Sequence, residues 1–511
     1  MSPESIEQAP RRSSAAQDVY PDLKGEVADE GYELFDQSAP EAFTAEQSNA
    51  VRRKLDLHLL PLMCGLYGLN YVDKVAMGWA VLFNFRNDLN LKGDEYSWSS
   101  SMFYFGYLVA QYPANYILQR YSTVRVLSLA TVGWGVLMIG HIGLHNFAGL
   151  LVIRFLLGVT ESVVTPGFVL YTSMFYTRKE QVLRVMLWAC TQGLFSIVGT
   201  LLSYGLGHIT NTAIKPWAYI FLVLGILSII VGTAWFFIMP ATPNNAKFLT
   251  HEEKVIAVQR VAQNMMGIKN YQWKYYQIWH AAKDPKTWMI LAFVFLTMLP
   301  NGGLTNFGSL VIEGLGFDSF GTLLIGMPSS VVSSGSMIVW GLFSIKHGHL
   351  RTWGMIIPLL PAIAGIAAVY GTMNTDANKY GRVVAYWLIN SYAVTWPFLL
   401  TIIGQNIAGH TKRAFTNAIM LIIFAAGNIA GPFFFRSQDA PRYVLAITTI
   451  LVCFCLALFC ALALRFYMIW ENRRRDRVFG VLETVDDQVD GMRLGMHDKT
   501  DLENPDFRYV L

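Results

Sequence analysis

Apolar stretches of about 20 residues recur from Leu55 to about residue 470, separated by short polar segments. Each is long enough to cross a bilayer as an α-helix, the structure that satisfies its own backbone hydrogen bonds in lipid. The pattern predicts twelve spans, at about 56–82, 96–118, 124–145, 147–172, 184–208, 217–239, 287–312, 318–345, 352–371, 381–404, 412–435 and 442–470. One connection, 240–286, is long and polar, and it divides the spans six and six. Pro240 and Pro243 close the sixth span. Thr250-His251-Glu252-Glu253, followed by Val255, Ile256, Val258 and Val261, predicts a capped amphipathic helix inside the connection.

Basic residues concentrate in alternate loops, at Arg120 and Arg125, Arg178 to Arg184, 240–286, Lys346 and Arg351, Lys412 and Arg413, and Arg473 to Arg477. The positive-inside rule places these loops in the cytoplasm. An even number of spans then puts both termini there. The expected fold is an all-α membrane protein with twelve transmembrane helices in two six-helix bundles, the layout of the major facilitator fold. Its parts are an acidic disordered cytoplasmic tail at 1–50, an N-terminal bundle at 51–240, a cytoplasmic linker at 241–286, a C-terminal bundle at 287–470 and a cytoplasmic tail at 471–511.

Composition agrees with a membrane protein. Of 511 residues, 53% are hydrophobic and 14% charged, against about a quarter charged in an ordinary soluble chain. Residues 1–50 carry a net charge of −8, which leaves +12 on the rest of a chain whose total is +4. That excess is spread over short loops and makes no nucleic-acid footprint. The five cysteines lie within spans and have no disulfide or zinc spacing. No phosphate-binding loop occurs, so the chain has no motif for ATP-driven transport. No metal cluster or nucleophile-plus-base set appears in the spans, so neither an enzyme nor a cofactor is expected.

Four ionisable residues inside spans change the picture. Asp73 and Lys74 fall in the first, Arg154 and Glu161 in the fourth. Charges at such depth are costly and mark transport pathways by default. Counting at 1.5 Å per residue places Asp73 roughly 27 Å along span one and Arg154 roughly 10 Å below the outer end of span four. These depths predict that Lys74 and Arg154 flank one pocket, with Glu161 two turns deeper on the Arg154 face. The bases would hold a carboxylate, and Asp73 or Glu161, with Glu161 the deeper, would carry a proton. The bland alternative is that the four residues tie helices together as buried ion pairs.

Other polar span residues, His141, Gln192, Asn306, Asn390, Gln405, Asn406 and Asn428, read as interhelical glue or, for His141, as an interfacial group. Asn301 is the exception, because Pro300-Asn301-Gly302-Gly303 predicts a broken helix facing the cavity. Tyr71, Tyr392 and Trp396 are candidates to close the pocket. Gly199, Gly205, Gly207, Gly427 and Gly431 read as close-packing positions, and Arg473-Arg474-Arg475 as an anchor on anionic headgroups.

Asn70-Tyr71-Val72-Asp73-Lys74 resembles the first-span signature of the anion:cation symporters of the major facilitator superfamily, with lysine where arginine is commoner. Gln111-Tyr112-Pro113-Ala114-Asn115, Arg154 to Glu161 with Pro166-Gly167, Asp284-Pro285-Lys286-Thr287-Trp288, Asn301 to Gly308, Lys412-Arg413 with Asn417, and Gly427-Asn428 with Gly431-Pro432 resemble further landmarks of the fungal allantoate-permease-like branch. That branch includes permeases for nicotinate, vitamins and related organic anions. The resemblance implies a secondary active transporter of a small carboxylated organic anion, coupled to a proton by alternating access. Lys74 and Arg154, with Tyr71, Asn301 and Trp396, would meet the substrate, and Glu161 and Asp73 would couple the proton. The expected partners are that anion, the proton and the lipid bilayer, with the chain a monomer in the plasma membrane. Export of an acidic secondary metabolite is the alternative in direction. A non-transporting nutrient sensor is the alternative in class, disfavoured by the short predicted tails.

Overall fold

In the computed structural model, which describes residues 44–209, 214–262, 274–346, 351–372, 378–480 and 498–511, the chain makes twelve helical crossings. Spans one to six are Ala45–Ala80, Glu95–Arg120, Thr123–Gly140, Phe147–Glu161 continued by Val164–Phe175, Arg178–Gly207 and Pro216–Ile238. Spans seven to twelve are Pro285–Glu313, Ser319–Lys346, Trp353–Ile356 continued by Leu359–Gly371, Lys379–Asn406 with a 3-10 turn at Asn390–Val394, His410–Ala430 and Val444–Phe479. Among the described residues, ten of these crossings are long and apolar enough to cross a membrane by composition alone. Spans one and two are the others. Asn70, Asp73 and Lys74 dilute the first, and Ser97, Ser99, Ser100 and Ser101 the second. These side chains point into the protein, where all but the partly covered Lys74 are buried.

Small residues bring helix backbones together, as expected where lipid gives helices no hydrophobic reason to associate. A Cβ on Gly158 would lie 1.8 Å from the Phe103 carbonyl oxygen, and one on Gly106 2.0 Å from that of Phe155, so spans two and four touch through their backbones. Gly431 meets the Leu299 carbonyl in the same way, at 2.2 Å, where span eleven packs on span seven. Gly199, Gly207 and Gly427 also face close neighbours, but Gly205 has open space around it and is not a packing position.

Span seven corrects one expectation. It runs unbroken through Pro300-Asn301-Gly302-Gly303. The glycines serve close approach instead of a break: a Cβ on Gly302 would lie 2.4 Å from the Asn428 carbonyl oxygen. The interruption falls in span ten, at the 3-10 turn Asn390–Val394.

The linker forms the capped helix His251–Ala262. Thr250 N donates to Glu253 Oε2 at 3.0 Å, and Glu253 N donates to Thr250 Oγ1 at 3.3 Å. Lys54 reaches Glu253 at 2.5 Å, and Arg260 reaches Glu180 at 2.6 Å, so the helix is fastened to the inner ends of spans one and five. A second helix, Tyr275–Lys283, has no counterpart in the periodicity reading. Most of the proposed acidic tail (1–43), linker residues 263–273 and residues 481–497 lie outside the described residues. Residues 498–511 fold back onto the cytoplasmic end of the second bundle instead of trailing from it.

Candidate functional site

Between the two halves lies a cavity of about 240 Å³. Span one contributes Asn70, Tyr71 and Lys74 to its wall. Adjacent residues on a helix are rotated by about 100°, so Asp73 turns away from the cavity into the first bundle. There it is 1% exposed and accepts a hydrogen bond from Ser228 of span six at 2.5 Å.

Lys74 crosses the cavity wall to span four, where its Nζ lies 3.4 Å from Glu161 Oε1. The rings of Tyr104 and Phe103 flank the ammonium, with centroids at 5.0 and 5.2 Å. Aromatic faces stabilise a cation without neutralising it. Glu161 Oε2 has no hydrogen-bond partner among the described residues. Among the described residues that line the cavity, Lys74 and Glu161 are the only charged ones, and their charges cancel.

Arg154 does not share this wall. It is 2% exposed in the outer part of the first bundle, and its Nε and Nη2 have no hydrogen-bond partner among the described residues. Its charge acts on Tyr96 and His141. Arg154 and Glu161 share one face of span four about 10 Å apart along it, so a lysine 3.4 Å from Glu161 is not level with Arg154, and the expected equal depth of Lys74 and Arg154 does not hold. Glu161, two turns along span four, is the residue that meets Lys74. His141, at the end of span three, is fully buried and stacks on Phe221 with ring centroids 4.2 Å apart.

The second bundle supplies uncharged groups. Asn301 lines the cavity and is held by two hydrogen bonds. Its Nδ2 donates to Asn428 Oδ1 at 2.8 Å, and its Oδ1 accepts from the Tyr392 hydroxyl at 3.0 Å. Trp396 stands on the wall against Phe424, with centroids 4.9 Å apart. Gln192 and Asn390, read as glue, also line the cavity, as do Ser329, Ser330 and Ser333 of span eight. This serine face is not among the site residues expected from sequence. Its signal was there in Ser329-Ser330 and Ser333-Ser334, one helical turn apart on one side of an apolar helix.

The outer ends of the halves are fastened together. The Tyr96 hydroxyl donates to the Asn306 carbonyl at 2.9 Å, Ser97 Oγ to that of Pro432 at 3.2 Å and Ser101 Oγ to that of Ile429 at 2.8 Å. Ser309 Oγ donates to the Gly78 carbonyl. These bonds join spans one and two to spans seven and eleven.

The description of the Major Facilitator Superfamily matches residues 63–432. The chain is 33% identical over 496 residues to the allantoate permease of Saccharomyces cerevisiae, covering 94% of this chain and 89% of the permease. It is 34% identical over 469 residues to an uncharacterised transporter of Schizosaccharomyces pombe, covering 91% of this chain and 88% of the relative. In structure it resembles the proton:xylose symporter XylE, with a TM-score of 0.62 at 14% identity over 81% of this chain and 95% of that one.

Proposed function

The chain belongs to the major facilitator superfamily, in its fungal allantoate-permease-like branch, and from that premise we propose that this multi-pass secondary transporter moves a small carboxylated organic anion together with a proton. The observation that supports this reading is the Lys74–Glu161 contact, the one place where the cavity wall carries charge among the described residues.

In the empty carrier, ionised Glu161 occupies Lys74. An anion entering that cavity competes with a carboxylate already in place. A proton on Glu161 removes the competitor, and the substrate carboxylate takes its position at the ammonium. The empty site holds Lys⁺ and Glu⁻. The loaded site holds Lys⁺, the anion and neutral Glu161. Both are neutral overall, whereas an anion without its proton, or a proton without its anion, leaves a net charge to be carried through the low-dielectric interior at high cost. This charge balance couples one proton to one monoanion.

Tyr71, Asn301 and Trp396 shape the remainder of the pocket. Asp73 is assigned a structural tie to span six, and Arg154 a buried charge in the first bundle that does not meet the substrate in this conformation. The proposed setting is a monomer in the plasma membrane. Reconstituted protein assayed with a panel of labelled monocarboxylates at two external pH values tests the reading. Uptake that rises as the outside is acidified supports it. PH-independent movement of neutral solutes, with no anion carried, would sink it.

A further inference from the structure

The inner half of span ten, Thr395–Asn406, is bounded at both ends. At one end is the 3-10 turn Asn390–Val394, a local change of helical geometry of the kind found at hinges. At the other is the segment 498–511. Between them, Trp396 and Leu400 face the cavity.

The grip of that segment on span ten is built from several bonds. Asn406 is fully buried, and its side chain pairs with one residue's backbone. Its Oδ1 accepts from Val510 N at 2.7 Å, and its Nδ2 donates to the Val510 carbonyl at 2.9 Å. The Asn406 carbonyl, left without an intrahelical partner at a helix end, accepts from Lys286 Nζ at 2.5 Å. Ala408 N donates to Asp501 Oδ1 at 3.2 Å.

Asp501 in turn bridges Lys286 and Lys412, at 2.8 and 2.9 Å, beside Asp284, and all four side chains are buried. Arg475 of span twelve, read from sequence as a headgroup anchor, instead donates to the Asn504 and Phe507 carbonyls at 3.2 and 3.0 Å. Asn472 exchanges two hydrogen bonds with Tyr509, each of 2.8 Å. The segment thus rests on spans seven, eleven and twelve as a fixed base and reaches span ten chiefly through Val510.

We propose that residues 498–511 are a strap that positions the inner half of span ten, and through it Trp396 and Leu400 at the cavity, with Asn406 as the positioning residue. With the strap seated, the half-helix is held at both ends. With Val510 withdrawn, its inner end loses both Asn406 side-chain bonds, keeps the Lys286 and Asp501 bonds to its backbone, and moves more freely about the turn.

Hydrogen–deuterium exchange on the full chain in lipid nanodiscs tests this without reference to any transported substrate, so its outcome is independent of the proposed anion–proton coupling. Two variants are compared with the unmodified chain: Asn406→Ala, and a chain ending at Arg508, which keeps Asp501 and its lysines. The expected result is exchange at amides 398–407 on the order of tenfold faster in Asn406→Ala, the effect of losing two hydrogen bonds of ordinary net strength, and at least as fast in the shortened chain, which also loses the Tyr509 bonds to Asn472 and Asp501. Spans four and six should be unchanged. Unaltered exchange at 398–407, or acceleration spread evenly over all spans as in a general loss of stability, overturns the proposal. If the shortened chain does not fold, Asn406→Ala decides alone.

Discussion

Lys74 and Glu161 face each other at 3.4 Å across the junction of spans one and four, with the rings of Tyr104 and Phe103 beside the ammonium. The lysine therefore keeps a favourable electrostatic environment when its carboxylate partner is neutralised, and it remains a fixed cation for an incoming anion. A pair in which each ion depended wholly on the other would not have this property.

Lys74→Ala is expected to reduce anion uptake sharply while leaving membrane delivery intact. Charge-assisted hydrogen bonds contribute about 1.5–3 kcal/mol, so the loss in transport at low substrate should be at least about tenfold and up to about a hundredfold. Uptake of labelled monocarboxylates, normalised to surface protein, measures it. Normal transport by this variant would place the anion site elsewhere.

Glu161→Gln fixes position 161 in the form that a bound proton produces. Lys74 is then always free, so exchange of labelled for unlabelled anion should continue, while accumulation driven by a proton gradient should be lost. Asp73→Asn serves as the contrast, since Asp73 is turned to Ser228 and away from the cavity. It should retain pH-dependent accumulation. The opposite pair of outcomes would transfer the coupling role to Asp73.

Gly158→Ala should destabilise the first bundle. Its new methyl group would sit 1.8 Å from the Phe103 carbonyl oxygen, against backbone that has no alternative rotamer. Overpacking of this kind costs about 1–3 kcal/mol and sometimes more. Gly205→Ala, where nothing lies within 4 Å, should be neutral. Thermal midpoints of the two purified variants make the comparison, and equal midpoints would contradict the packing described.

Docking of residues 498–511 should be insensitive to pH from neutrality down to about 5. Burial pushes the Asp501 carboxyl upward, but Lys286 and Lys412 outweigh it and hold it well below the usual carboxylate range. A carboxyl depressed in the docked state contributes its stability in full above its undocked value, about 3.9, and loses it as the pH falls through the docked value. Exchange protection of 498–511, corrected for intrinsic rates, should thus begin to fall only below about pH 4. A loss between pH 7 and 5 would show that another group governs docking.

The twelve crossings, the six-plus-six division and the capped linker helix follow from local features of the chain: apolar runs long enough for a bilayer, Pro and Gly at their ends, and Thr250 three residues before Glu253. So does the presence of four charges at membrane depth, because composition alone makes them anomalous. What the sequence could not decide was which of these charges meet. Asp73 and Lys74 are neighbours in the chain yet face different bundle elements, and Arg154 and Glu161 share a helix face yet end in different surroundings. Those outcomes depend on the rotation of each helix about its axis and on its placement along that axis, set by contacts between distant residues such as Gly158 on Phe103 and Gly106 on Phe155. The serine face of span eight, the continuous span seven and the seat of residues 498–511 belong to the same class. Local periodicity specifies which residues lie on one side of a helix; only the packing of whole helices decides what that side confronts.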